Sequence, residues 1–314
     1  MNFSKAYRKR EAGVSPLRAM MGGPDAQALV CANHSLSVER LTGDDRAEML
    51  SFLARRAVHT VFMAGLIRDN GVVSPLNRGA FYACRNGQGG LEGVALIGHA
   101  TLVEARTEAA LSAFAHFAQG CSLSHLIHGI PGEVESFWQS YVQHSKRTMR
   151  RLCREMLFEH RGPVKPLEAV KGLRQATLDD LSLVMSVNAG LAAEECGVNP
   201  LERDALGFRQ RTARRIEQGR VWVWAQEGQL IFKADIVADT PEAVYLEGVY
   251  VHPLERRKGY GLRCMTQLSR CLLARTEVVC LIVNEVKTEA QAFYRRAGYE
   301  HTSDYDTIYL QELH

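Results

Sequence analysis

Nowhere in this 314-residue chain is there a run of about 18 apolar residues, so nothing in it reads as a membrane-spanning helix. The first residues also lack the apolar core of a secretion signal. Eight cysteines are scattered at positions 31, 84, 121, 153, 196, 264, 271 and 280, none in a Cys-x-x-Cys pair. No histidine pair accompanies them at zinc spacing, so no structural metal is expected. Free thiols on core faces behave as small hydrophobes, and a reducing cytoplasm suits them. Strong charge is missing too. A net charge of +3 argues against a dedicated nucleic-acid binder. No Gly-x-x-x-x-Gly-Lys-Ser/Thr run occurs, which excludes a Walker loop.

What is present is a globular composition, 46% hydrophobic, at a length that suits two ordinary domains. Residues 1–33 read as a flexible tail with a basic cluster at Lys5, Arg8, Lys9 and Arg10. Residues 34–161 alternate strand-like and helical patterns: Phe81–Cys84 and Leu91–Gly98, a helix through Ala109–Phe117, a strand at His125–Gly129, and a helix near Val134–Tyr141. Gly162, Pro163 and Pro166 interrupt both periodicities, so a linker is expected at 162–170, with a second domain over 171–314. The opening Ser37–Asp45 is echoed at Gly172–Asp180, each leading into a helix. The expected class is mixed α/β (α+β), two domains on a shared plan in tandem.

The second half carries the chemistry. An apolar strand, Val244–Val251, runs into Arg256-Arg257-Lys258-Gly259-Tyr260-Gly261, and a helix follows with Leu262, Met265, Leu268 and Leu272 on one face. A basic glycine turn at a helix start suits a phosphate: the first-turn N–H groups point at the anion and the helix dipole favours it. Gly259 and Gly261, lacking Cβ, allow close approach of backbone to ligand. Cys264 stands where a dinucleotide fingerprint has its third glycine. Taken alone, the turn is also compatible with an ordinary solvated helix start.

A short β-branched strand, Val278–Val283, comes next and ends at Asn284. Thr288 and Gln291 have capping-box spacing. Ala290, Phe293 and Ala297 form an inward stripe, and Gly298 ends the helix. A last strand runs from Tyr299 to Leu310.

The two blocks, Arg256-x-x-Gly259-x-Gly261 and Asn284…Ala290-x-x-Phe293-Tyr294-x-x-x-Gly298-Tyr299, resemble the GNAT superfamily of acyl-CoA N-acyltransferases in order and spacing. The resemblance covers residues 170–312. Glu194–Pro200, Phe232–Asp235 and Glu247–Tyr250 are similar to a bacterial group of that superfamily with an extra N-terminal domain. It implies a GNAT fold and acetyl-CoA as cosubstrate, with Arg256, Arg257, Lys258, Gly259, Tyr260 and Gly261 around the pyrophosphate. Val249, Tyr250 and Val251 would lie along the pantetheine arm, and Asn284 on the far side of a gap between parallel strands. Tyr294 stands where the family has its general acid; without the family it reads as a core-edge aromatic.

An amine nucleophile with pKa about 10.4 must lose a proton at a cost of about 4–5 kcal/mol at pH 7. Glu247 is the candidate base, or else a substrate contact or salt-bridge partner. It shares strand parity with Val249 and Val251, so the three are expected to face one way unless a bulge intervenes. Glu194 and Glu195, at a helix end, are candidates to attract a cationic acceptor, or form an ordinary solvated end. Lys233 and Asp235 alternate on a strand as a satisfied pair.

The first half has Arg106-Thr107-Glu108 where the glycine turn would be. It reads as a degenerate GNAT-like domain that shapes the acceptor pocket or mediates homodimerisation. The activity implied is transfer of an acetyl or short acyl group to a primary amine, small-molecule or peptide, by direct attack. The alternatives are a CoA-sensing scaffold and an aminoacyl-tRNA-dependent transferase on the same fold.

Overall fold

The computed structural model of the chain describes residues 36–312, apart from the side chains of Glu195 and Cys196; the basic tail expected at residues 1–33 lies outside them. Each half follows one plan of strand, two helices, three strands, helix, strand, helix, strand. In the first half these are β1 (Ser37–Arg40), α1 (Arg46–Leu53), α2 (Val61–Asn70), β2 (Gly79–Arg85), β3 (Leu91–Gly98), β4 (Ala100–Ala105), α3 (Glu108–Ala118), β5 (Leu126–Gly129), α4 (Pro131–Val142) and β6 (Arg147–His160). In the second they are β7 (Arg174–Gln175), α5 (Leu181–Cys196), α6 (Pro200–Glu217), β8 (Val221–Gln226), β9 (Gln229–Asp239), β10 (Ala243–Val251), α7 (Tyr260–Leu273), β11 (Val278–Asn284), α8 (Thr288–Arg296) and β12 (Glu300–Glu312).

All strands join one 12-stranded sheet in the order β1-β2-β3-β4-β5-β12-β6-β11-β10-β9-β8-β7. Pairing is antiparallel except β4 with β5 and β10 with β11. The two halves are therefore not separate sheets: their last strands are exchanged. β12 docks on β5 of the first half, β6 docks on β11 of the second, and the two pair with each other from Glu300↔Glu159 to Glu312↔Arg147. The exchange interlocks the cores. Phe158 of β6 lies in the second-half core with Tyr294 and Tyr299, while Ile308 and Leu310 of β12 lie in the first-half core with Phe114 and Phe137. Full burial of each such side chain contributes about 1.5–3 kcal/mol.

Alternation along the strands sets the layers. Phe81 and Ala83 face the cluster under α1 and α2, whereas Tyr82 and Cys84 face α3 and α4. In the second half Val279 and Leu281 face α7 and α8, and Val278 and Cys280 face the opposite side. Helix α2 crosses from its own half onto β9; a Cβ on Gly65 would lie 2.7 Å from that of Ala238. Among the described residues, no helix is long and apolar enough to cross a membrane.

Candidate active site

The parallel pairing of β10 with β11 runs from Ala243↔Val278 to Leu246↔Leu281 and stops there. Beyond it β10 continues along β9 to Val251 and β11 along β6 to Asn284, so a gap opens between them. Within this stretch Glu247 pairs with Asp235 and Tyr250 with Lys233, so three steps of β10 match two of β9. This is a β-bulge centred on Gly248, whose φ is +56°. The bulge corrects the expected parity. Val249 and Val251 pack toward the α7–α8 core, while Glu247 is exposed on the other face of the sheet, opposite Asp235. Burial first, and Glu247 second, push the neighbouring Tyr245 phenol well above its usual range.

Beneath the bulge sits a buried charge cluster. Lys233, wholly buried, donates from Nζ to the Gly248 carbonyl at 3.0 Å and lies 2.9 Å from Asp235 Oδ1. Asp235 Oδ2 also meets Arg215 Nη1 at 3.3 Å and Asn188 Nδ2 at 3.4 Å. Burial pushes the Lys233 ammonium below its usual value, with Asp235 opposing. In a trans peptide the C=O and the following N–H point opposite ways. Fixing the Gly248 carbonyl on Lys233 therefore turns the Val249 N–H away from it.

After β10, a turn through Pro253–Glu255 leads to Arg257 at φ +64° and Gly259 at φ +82°. Gly259 is the N-cap of α7 and, being glycine, caps nothing with a side chain, so the amides of the first turn stay available to an anion. A Cβ on Gly261 would lie 2.7 Å from Val251 Cγ2 and 3.4 Å from Phe293, so only glycine lets α7 start this close to β10 and α8. The bases around the turn have partners. Arg256 Nε donates to the Val251 carbonyl, Lys258 pairs with Glu255 at 3.0 Å, and Arg263 holds Glu168 at 3.1 Å. Arg257 reaches Glu289 at 3.6 Å, with both side chains almost fully exposed, a pair that contributes little. The ring of Tyr260 meets Trp224 edge-on at 5.0 Å. A backbone cradle with glycine at its left-handed point, Gly259, and at its crowded point, Gly261, fits a diphosphate.

Tyr294, on α8, is 8% exposed among Phe158, Phe293 and Tyr299. Asn284 shapes the β11–α8 turn: its Oδ1 accepts from Val286 N at 3.1 Å. The expected capping box is absent. Lys287 is the N-cap, and Gln291 Nε2 instead donates to the Glu285 carbonyl at 2.8 Å. Glu194 is exposed in the last turn of α5 and does not line the cavity that holds Glu247; Glu195 follows it in the same helix.

That cavity, of about 270 Å³, lies on the α2–α5 face between the halves. Its walls come from β10, β11 and the exchanged strands on one side, and from β4, β5 and residues 56–63 on the other. Tyr305 is stacked between His59 and His128 at 5.9 and 5.0 Å, with its hydroxyl 2.6 Å from His59 Nδ1. Thr307 donates to Glu155 Oε2 at 2.6 Å, and Arg56 bridges Glu104 (3.2 Å) and Glu133 (2.9 Å). None of these residues stands out in the sequence, because strand exchange brings them together from distant segments. The bulge did leave a signal, a glycine inside a strand run.

Residues 217–301 match the family model of the acetyltransferase (GNAT) domain. No curated protein matches the chain. Among solved structures it is similar to a GNAT-family acetyltransferase from Colwellia psychrerythraea, at 12% identity over 87% of this chain and 99% of that one, with TM-score 0.53. It is similar to a GCN5-related N-acetyltransferase from Sphaerobacter thermophilus, at 13% identity over 88% and 95%, TM-score 0.54. A tandem GNAT protein from the clavulanic acid biosynthesis pathway gives 15% identity over 88% and 98%, TM-score 0.53. At these identities the likeness is one of fold. The domain match runs from the end of α6 to the start of β12, so it is the second half of the chain that holds the segment matching a GNAT acetyltransferase domain.

Proposed function

We propose that the protein transfers an acetyl or other short acyl group from its CoA thioester to a primary amine, by direct attack in a ternary complex. The observation that carries this reading is a coincidence on one strand. The β10–β11 gap, the bulge at Gly248 and the uncapped start of α7 follow one another within residues 246–261. Bound acetyl-CoA would supply the activated acyl carbon, and the chain supplies what surrounds it. The amides of Gly259, Tyr260 and Gly261 hold the diphosphate. Val249, Tyr250 and Val251 line the arm, and the Val249 N–H, oriented by Lys233, stabilises charge developing on the thioester oxygen. Asn284 fixes the end of β11 on the far side of the gap. Glu247 takes a proton from the incoming ammonium. The amine nitrogen then bonds to the acyl carbon, the C–S bond breaks, and Tyr294 donates a proton or hydrogen bond to the departing thiolate. The second proton, shed by the nitrogen as the amide forms, returns to the Tyr294 phenolate or, where only a hydrogen bond was given, to the thiolate. Glu194, exposed in the last turn of α5 outside the cavity, would act on a cationic acceptor only through its long-range field. The first half, degenerate as a CoA binder, serves as a wall.

The test is thiol release from acetyl-CoA against a panel of amines, using the whole chain. Amine-dependent release supports the enzyme. Tight CoA binding without turnover on any amine would instead point to a CoA-sensing module.

A further inference from the structure

We propose that the cavity between the halves is the acceptor site and that it takes a small organic cation: a primary amine on a compact apolar or aromatic body. This rests on the acyl-transfer reading above. The first support is position. Glu247 and Ile282, each the first residue beyond the last parallel pair, Leu246↔Leu281, both line the cavity. A molecule held there therefore reaches the gap where the thioester would lie.

The second is charge. The lining carries four carboxylates, Glu104, Glu133, Glu155 and Glu247, against one guanidinium, Arg56, so 1 − 4 gives −3 when its histidines are neutral. Burial favours the neutral form of both, pushing His59 down and His128 down to about 4, and it also pushes the Glu104 carboxyl up, with Arg56 opposing. A partly enclosed acidic site raises the local concentration of cations. The third is shape. Leu102, Leu157 and Ile282 supply apolar wall, and the volume falls just under the range that holds drug-sized ligands.

The first half explains the arrangement. Its own parallel pair, β4 with β5, ends at Leu102↔His128. Two residues further on stands Glu104, where the second half has Gly248 at the same offset from Leu246. Arg56 holds Glu104, on β4, and Glu133, in the first turn of α4, together across that cleft. The cleft is closed to a cofactor and has become the far wall of the other half's acceptor site.

Calorimetric titration of the full chain with 2-phenylethylamine, cyclohexylamine and 1-aminobutane, each beside the alcohol of the same skeleton, tests this. CoA is titrated in the same preparations. At least one amine should bind about tenfold more tightly than its alcohol, the effect of one charge-assisted contact. Ala100→Leu, which fills the cavity from β4, and Glu133→Gln, a milder change in the first half, should each weaken that amine while leaving CoA affinity unchanged. Amines no tighter than alcohols, or amine affinity indifferent to both variants, overturns the cavity assignment while CoA binding keeps the acyl-transfer reading intact. A wild-type chain that binds no CoA overturns that reading, and the inference with it.

Discussion

Lys233→Met takes one ammonium from beneath the β10 bulge and replaces it with a side chain of similar length. Two interactions go. The Gly248 carbonyl loses its donor at 3.0 Å, and Asp235 loses a cation at 2.9 Å. Leaving the half-buried Gly248 carbonyl unsatisfied costs at most about 1–3 kcal/mol, and breaking a buried ion pair by removing one partner costs about 3–5 kcal/mol. Arg215 and Asn188 remain on Asp235, so the effects overlap rather than add, and a total of about 3–5 kcal/mol is expected. At roughly 2–4 °C per kcal/mol for a chain of this order, the melting midpoint should fall by about 10 °C. Released from Lys233, the 248–249 peptide rotates and its N–H leaves the gap. Loss of one such donor lowers kcat by about 100-fold or more, with little change in KM for acetyl-CoA. Melting and steady-state kinetics check both numbers. The double variant with Asp235→Asn removes the orphaned charge as well; it should recover part of the stability and none of the turnover. A midpoint unchanged in Lys233→Met, or turnover restored together with stability, would refute the reasoning.

Gly259→Ala has open space for its Cβ but must hold φ near +82°, which costs an L-residue about 1–2 kcal/mol. CoA affinity should drop about 5- to 30-fold by titration. Tyr294→Phe should keep its place among Phe158, Phe293 and Tyr299 and melt near wild type, while kcat falls about 100-fold or more; unchanged turnover removes Tyr294 from the chemistry. Burial, Arg78 and His125 hold His99 down to about 4. Between pH 6.5 and 4 the unfolded chain binds this proton and the folded chain does not. Its contribution is therefore complete above pH 6.5 and lost as pH falls toward 4, by up to about 1.4 kcal/mol per pH unit. His99→Gln should flatten that part of the stability profile measured by denaturant titration.

The elements that local pattern encodes were legible. The apolar run at 278–283 is β11, the stripe from Leu262 to Leu272 is α7, and Gly298 at φ +96° ends α8. Elements whose character is set by distant partners were not. β6 carries Arg147, Arg150, Arg151, Arg154, Glu155 and Glu159, too much charge to read as a strand, and becomes one because β12 and β11 flank it. α6 is dense in arginine, and only its context buries Ile216 and Thr212 on one side of it. The glycine turn could be placed from sequence because its conformation is a property of backbone. The cavity could not, since His59, Glu104, Glu155, Glu247 and Tyr305 meet only after the strands exchange.

The most direct measurement is a crystal structure of the chain with CoA. The diphosphate should sit within hydrogen-bonding distance of the amides of residues 259–261, with the thiol in the gap past Leu246 and Leu281. CoA bound anywhere else, with that turn left clear, would contradict the account.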